Sequence, residues 1–117
     1  MSRVTEERPW GSFTILDVGK SFKVKRVAVN PKQKLSLQYH THRAEHWTVV
    51  EGLATVCIDG TTQNLGVGEL AYIEKEQTHQ LSNETNQMVQ IIEVQLGDYL
   101  EEDDIVRLED IYGRVKK

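Results

Sequence analysis

The sequence predicts an all-β fold, an antiparallel sandwich or small barrel closed by one short C-terminal helix. Three observations carry that expectation. Short runs rich in β-branched and aromatic residues recur from Ser12 to Gln95, turn residues separate them, and no long apolar stripe at 3.6-residue spacing lies among them. The runs are SFTILDV (12–18), FKVKRVAV (22–29), KLSLQYH (34–40), HWTVV (46–50), ATVCI (54–58), ELAYI (69–73) and VQIIEVQ (89–95). Each has the length of a strand. The turn signals between them are Val18-Gly19-Lys20, Asn30-Pro31, Glu51-Gly52, Asp59-Gly60, Gly66-Val67-Gly68 and Ser82-Asn83. Asp59-Gly60 reads as a two-residue hairpin, because both central positions of that turn need a left-handed backbone. In the tail, LEEDDIVRLEDIYGR sets Ile105, Leu108 and Ile111 three apart behind an acidic first turn, so a short helix is expected. Glu101, Glu102, Asp103 and Asp104 then read as solvated residues that complement its dipole. A calcium loop would need a longer ligand series and a glycine at its sharp turn.

With 117 residues the chain has room for one core, and residues 1–117 are read as a single domain. Fourteen Lys and Arg against eighteen Asp and Glu give a formal net charge of −4, which argues against a broad basic footprint for nucleic acid or anionic lipid. No apolar run is long enough for a membrane span. The polar start MSRVTEERPW lacks the apolar centre of a secretory signal, so a cytoplasmic location is expected. The single Cys57 agrees, since it cannot form an intrachain disulfide. Beside Val56 and Ile58 it reads as an inert buried thiol, and Trp10 and Trp47 read as core.

The chemistry concentrates in Gln38-Tyr39-His40-Thr41-His42-Arg43-Ala44-Glu45-His46, where three of the four histidines fall within seven positions. On an extended strand, side chains two apart point the same way, so Gln38, His40 and His42 share a face. Two of them can approach one ion. A turn near Arg43-Ala44 lets Glu45 fold back towards the same point. Imidazoles with a carboxylate suit a borderline divalent cation such as zinc, manganese, iron, cobalt or nickel.

These residues resemble the cupins, whose first motif runs Gly, five residues, His-x-His, three or four residues, Glu, six residues, Gly. Anchoring on Glu45 and Gly52 puts the two histidine positions at Gln38 and His40 and the leading glycine at Lys32. The competing register pairs His40 with His42, but it leaves His46 where the acid belongs. In the second cupin motif, Gly, five residues, Pro-x-Gly, two residues, His, three residues, Asn, the matching positions are Gly68, Glu74, Glu76, His79 and Asn83. The resemblance therefore implies a cupin-type jelly roll, or double-stranded β-helix, with a metal held by Gln38, His40, Glu45 and His79. Two imidazoles and two oxygen donors leave the site open, unlike a closed structural zinc site. Gln38 binds through its amide carbonyl without adding charge, which preserves Lewis acidity. His42 and His46 are expected near the ion rather than on it.

The flanks narrow the match. RPWGSF (8–13), FKVKRVAVNP (22–31), LSLQYHTHRAEHW (35–47) and EDDIVRLEDIYGR (102–114) resemble the type II mannose-6-phosphate isomerase domain, over a span from Arg8 to Arg114. That domain commonly forms the C-terminal part of bifunctional mannose-1-phosphate guanylyltransferase/mannose-6-phosphate isomerases. The chain departs from it at Lys32, where the family usually has glycine. There is no Gly-rich phosphate loop, so the guanylyltransferase activity is not carried over. The resemblance implies a metal-dependent isomerase that interconverts mannose 6-phosphate and fructose 6-phosphate, with zinc as the expected ion.

Aldose–ketose isomerisation moves one hydrogen between C1 and C2, so beyond the metal the enzyme needs a phosphate anchor and a base. The anchors expected are Arg8, Lys25 and Arg107, with Arg43 and Arg114 behind them, because guanidinium forks suit phosphate geometry. Lys25 shares strand parity with Val27 and Val29 and therefore points inward if they do. Glu45 and His46 are the candidate bases, with Lys25 and Arg107 beside the reacting groups. A hydride shift would need none. Alternatives are a sugar-phosphate-binding cupin without turnover, an isomerase or epimerase for another sugar phosphate, and an iron dioxygenase. A homodimer paired through sheet edges is expected, with a sugar phosphate as the small-molecule partner.

Overall fold

A computed structural model describes residues 4–114. Its strands, in chain order, are β1 (Val4–Arg8), β2 (Gly11–Val18), β3 (Phe22–Val29), β4 (Leu37–Tyr39), β5 (Arg43–Glu51) and β6 (Ala54–Ile58), followed by β7 (Thr61–Leu65), β8 (Leu70–Ile73), β9 (His79–Ser82), β10 (Val89–Gly97) and β11 (Val106–Glu109). They form a six-stranded sheet, β1-β2-β3-β10-β5-β8, and a five-stranded sheet, β11-β4-β9-β6-β7. All paired strands are antiparallel. The two sheets make the expected jelly-roll sandwich.

Period-two alternation explains why these segments are strands. Along β10, Val89, Ile91, Glu93 and Gln95 are buried while Gln90, Ile92 and Val94 are half-buried on the other face. Along β5, Glu45, Trp47 and Val49 are buried and His46 is exposed. The core lies between the sheets, where Val27, Val29, Val49, Val89 and Ile91 of the larger sheet meet Ala54, Val56 and Leu81 of the smaller one. Each such large apolar side chain contributes about 1.5–3 kcal/mol of burial free energy.

The hairpin between β6 and β7 is the expected one: Asp59 and Gly60 take φ of 47° and 83°, with Ile58 and Thr61 paired directly beneath. Gly97 is needed for a different reason. A Cβ there would stand 2.3 Å from the His42 carbonyl oxygen, so only glycine lets the end of β10 lie against Arg43.

The expected C-terminal helix is replaced by β11. Its residues pair with β4 on the sheet edge, Arg107 opposite Gln38 and Val106 opposite Tyr39. Backbone donors on the short edge strand β4 need partners, and β11 supplies them. Leu108 and Ile111 remain 44% and 58% exposed, so the three-residue spacing marks no buried stripe. Cys57, expected to be buried, is half-buried because it falls on the outward parity of β6.

Candidate metal centre and substrate cavity

Gln38 on β4 lies directly opposite His79 on β9. His40 follows β4, and Glu45 projects inward from β5. His40, Glu45 and His79 are all buried, and one ligand atom from each lies within 4.8 Å of the others. The His40 Nδ1 donates to the Asp104 carbonyl oxygen at 2.9 Å, and the His79 Nδ1 donates to the Gln77 carbonyl oxygen at 2.9 Å. Carbonyl oxygens only accept, so in the neutral rings both Nε2 atoms carry bare lone pairs. Those two nitrogens stand 3.2 Å apart, and the Glu45 Oε2 stands 3.1 Å from that of His40.

Three acceptors facing one another favour a cation among them, and the Arg43 guanidinium already approaches two, its Nε 2.8 Å from Glu45 Oε2 and its Nη2 3.4 Å from the His40 Nε2. Donors bound to zinc at about 2.0–2.1 Å necessarily stand about 3.0–3.4 Å apart at common coordination angles. The two separations at the His40 Nε2 meet that requirement, and the Glu45 and His79 ligand atoms lie within 4.8 Å of each other. Burial keeps the His79 imidazole below its ordinary pKa despite the opposing charge of Glu45, which leaves its lone pair available. At Glu45 burial alone would raise the carboxyl, but when the His40 ring is protonated its hydrogen bond and charge, then Arg43, outweigh it and hold the group well below the usual range. Trp47 Nε1 donates to Glu45 Oε1 and Arg43 Nε to Oε2, both at 2.8 Å, so the carboxylate cannot turn. Gln38 lines the same cavity, its amide nitrogen donating to Ser36 Oγ at 2.9 Å, and its carbonyl oxygen makes no hydrogen bond among the described residues.

The cavity contains about 710 Å³ of atom-free space counting its open mouth. All five expected anchors, Arg8, Lys25, Arg43, Arg107 and Arg114, line it. Lys25 is 3% exposed, as the parity argument required, and its Nζ donates to Glu102 Oε2 at 2.8 Å. Arg43 Nη1 and Arg107 Nε are buried without a hydrogen-bond partner among the described residues. Burial, then the charges of Arg114 and Arg8, hold the Arg107 guanidinium below its ordinary value. Such crowding favours an anion beside them.

His46 stands apart from this group. It sits on the outer face of β5 against the Tyr72 ring, with centroids 4.5 Å apart, and does not line the cavity. Alternation along β5 makes this unavoidable once Glu45 and Trp47 face inward. His42 is likewise exposed, beside Tyr99. The acidic run is no helix cap. Glu102 reaches into the cavity to hold Lys25, and the buried Asp104 accepts from the backbone N–H groups of Thr41 and His42 at 3.0 and 2.9 Å.

One cavity residue escapes the sequence reading altogether. Glu93 is buried in the wall and accepts from Gln95 Nε2 at 2.6 Å. Burial, with the charge of Glu45 adding to it, pushes its carboxyl up to about 7. The alternation that placed Lys25 inward applies equally to VQIIEVQ and puts Glu93 on the side of Val89 and Ile91.

Comparison with solved structures identifies the fold as a cupin. The chain superposes on oxalate decarboxylase from Bacillus subtilis with a TM-score of 0.80 at 17% identity, covering 91% of this chain and 30% of that one. An RmlC-like cupin from Shewanella frigidimarina gives 0.75 at 17% identity, covering 86% and 87%. Among curated proteins, the mannose-1-phosphate guanylyltransferase ManC of Salmonella typhimurium is 51% identical over 108 residues, which are 92% of this chain and 22% of that protein. The alginate biosynthesis protein AlgA of Pseudomonas aeruginosa is 51% identical over 107 residues, with the same two coverages. The chain therefore spans less than a quarter of the length of these relatives. Among the described residues no helix is long and apolar enough to cross a membrane. Residues 2–110 match the family described as mannose-6-phosphate isomerase C-terminal, and the chain belongs to that family.

Proposed function

We propose that the chain is a metal-dependent aldose–ketose isomerase that interconverts mannose 6-phosphate and fructose 6-phosphate. The observation that carries this reading is the convergence of three buried ligand atoms, on His40, Glu45 and His79, in a cavity that four arginines also line. A divalent ion there, zinc in this proposal with manganese, cobalt, nickel and iron as competitors, would polarise the sugar carbonyl. Gln38, through its amide carbonyl, would be its fourth ligand. Arg8, Arg107 and Arg114, all half-buried and so nearer the mouth, receive the phosphate. Arg43 donates its unpartnered Nη1 to a sugar oxygen while its Nε holds Glu45. Phosphate binding then fixes the distance at which C1 and C2 meet the metal end.

A coupled assay for fructose 6-phosphate, run on the 117-residue chain with zinc and after chelation, tests the proposal. Turnover that chelator abolishes and zinc restores supports it. Binding of mannose 6-phosphate without product formation would mark a sugar-phosphate-binding cupin instead.

A further inference from the structure

Isomerisation needs a group that can take a proton at one carbon and return it at the next. The two bases named from sequence are poorly placed for that work: His46 lies outside the cavity, and Glu45 is committed through both oxygens to Trp47, Arg43 and the metal position. Glu93 has the complementary properties. It lies in the cavity wall, 8% exposed, and the only hydrogen bond of its carboxyl among the described residues reaches one oxygen. The residues around it come from three directions: Lys25 on β3 and Trp47 on β5 as its cross-strand partners, Arg43 and Glu45 farther along β5, and Glu102 from the segment before β11. Two cations and two anions therefore surround a carboxyl that can exist in either form.

Resting on the isomerase reading, we propose that Glu93 is the catalytic residue that carries the proton between C2 and C1 of the bound hexose phosphate. In the open-chain aldose the Glu93 carboxylate takes the proton from C2, and the C–H electron pair becomes the C1–C2 double bond. The former C1–O1 π pair moves onto O1, which takes a proton from water, and water later receives the O2 proton, so the two oxygen transfers cancel. The enediol then loses its O2 proton, a C2–O2 double bond forms, and the C1–C2 π pair takes the proton back from Glu93 at C1. Nothing is consumed. A carboxyl raised to about 7 suits both halves, as base and then as acid.

The experiment measures kcat, KM and zinc affinity of the full chain with Glu93→Gln, Glu93→Ala and Glu93→Asp, using mannose 6-phosphate. Glu93→Gln should lower kcat about 10²–10⁴-fold. Its KM and zinc affinity should stay within about threefold, and the fall in kcat/KM on the acid side should disappear. Added formate should restore Glu93→Ala at least about tenfold, a response no structural role produces. A Glu93→Gln enzyme that keeps over about a tenth of kcat, or the wild-type pH profile, overturns the role of Glu93 alone. If Glu93→Gln loses zinc binding, Glu93→Asp decides: a kcat loss of about tenfold or more with zinc affinity kept supports the proposal, and an unchanged kcat overturns it. A wild-type chain that binds zinc yet forms no fructose 6-phosphate removes the isomerase reading and the proton carrier together.

Discussion

Strands β3, β5 and β10 each run through two different interiors. At one end their inward positions are Val29 and Val27, Val49 and Trp47, Val89 and Ile91; at the other they are Lys25, Glu45 and Arg43, Glu93 and Gln95. Backbone geometry and burial are alike in the two halves. Only side-chain chemistry differs. The apolar half lowers the free energy of the fold by removing surface from water, whereas the charged half costs desolvation that its mutual pairings offset only in part. Arg43 is the clearest case. Burial alone would lower its guanidinium, yet Glu45, Glu93 and Glu102 raise it, while Nη1 has no hydrogen-bond partner among the described residues, only the Glu102 carboxylate 3.9 Å away. Stability and function are thus divided along the strands rather than between domains.

The largest expected effect separates the halves most sharply. His79→Ala should cut isomerase turnover by about 10³-fold or more, with little change in the urea midpoint, because it removes a ligand rather than packing. Zinc titration followed by the fructose 6-phosphate assay checks this. Ile91→Ala should do the reverse, costing about 2–5 kcal/mol in urea unfolding while zinc affinity survives in the folded fraction. If both variants lost stability and metal affinity equally, the two halves would be one cooperative unit.

Glu93 sharpens the comparison through pH. In the metal-free fold its carboxyl stays protonated to about 7, whereas the unfolded chain ionises near 4.5. The raised value favours folding at low pH, and that advantage is lost as pH rises from 4.5 through 7, on the order of 3 kcal/mol. Glu93→Gln should remove this slope. Parallel melting curves of the two proteins, in chelator from pH 4 to pH 8, provide the measurement.

The smallest effect belongs to the turns. Lys32 and Glu76 occupy positions where the cupin pattern has glycine, and they take φ of 63° and 66°. The left-handed backbone has been kept while the residue suited to it has been lost. Lys32→Gly should therefore stabilise the fold by about 1 kcal/mol, read as a raised melting temperature with unchanged kcat.

Much of the site was legible because two short-range rules, strand parity and fixed spacing, act within a few residues. Parity alone put Lys25 inward beside Val27, and the second-motif spacing selected His79 from a region with no other histidine. Parity was equally informative about Glu93 and His46, and it points one into the cavity and the other out of it. The tail was different. Three-residue spacing of Ile105, Leu108 and Ile111 follows helical periodicity, but the unpaired edge of β4 offered a better use for that backbone. Local propensity lost to a long-range pairing.

What the sequence by itself determined was the alternation, the turns and the ligand types. A strand's period is fixed by its own backbone, the Asp59-Gly60 turn by its own dihedral angles, and the donor atoms by side-chain chemistry. Only the tertiary structure decided which residues meet. That His40 and His79 expose their Nε2 atoms to each other depends on carbonyls of Asp104 and Gln77, one of them 64 positions away. That Glu102 and Asp104 serve the cavity instead of a helix depends on Lys25 and the backbone of Thr41 and His42. Apart from the local His79–Gln77 contact, these arise only when distant segments come together in the sandwich, so they leave no periodic signal in the chain.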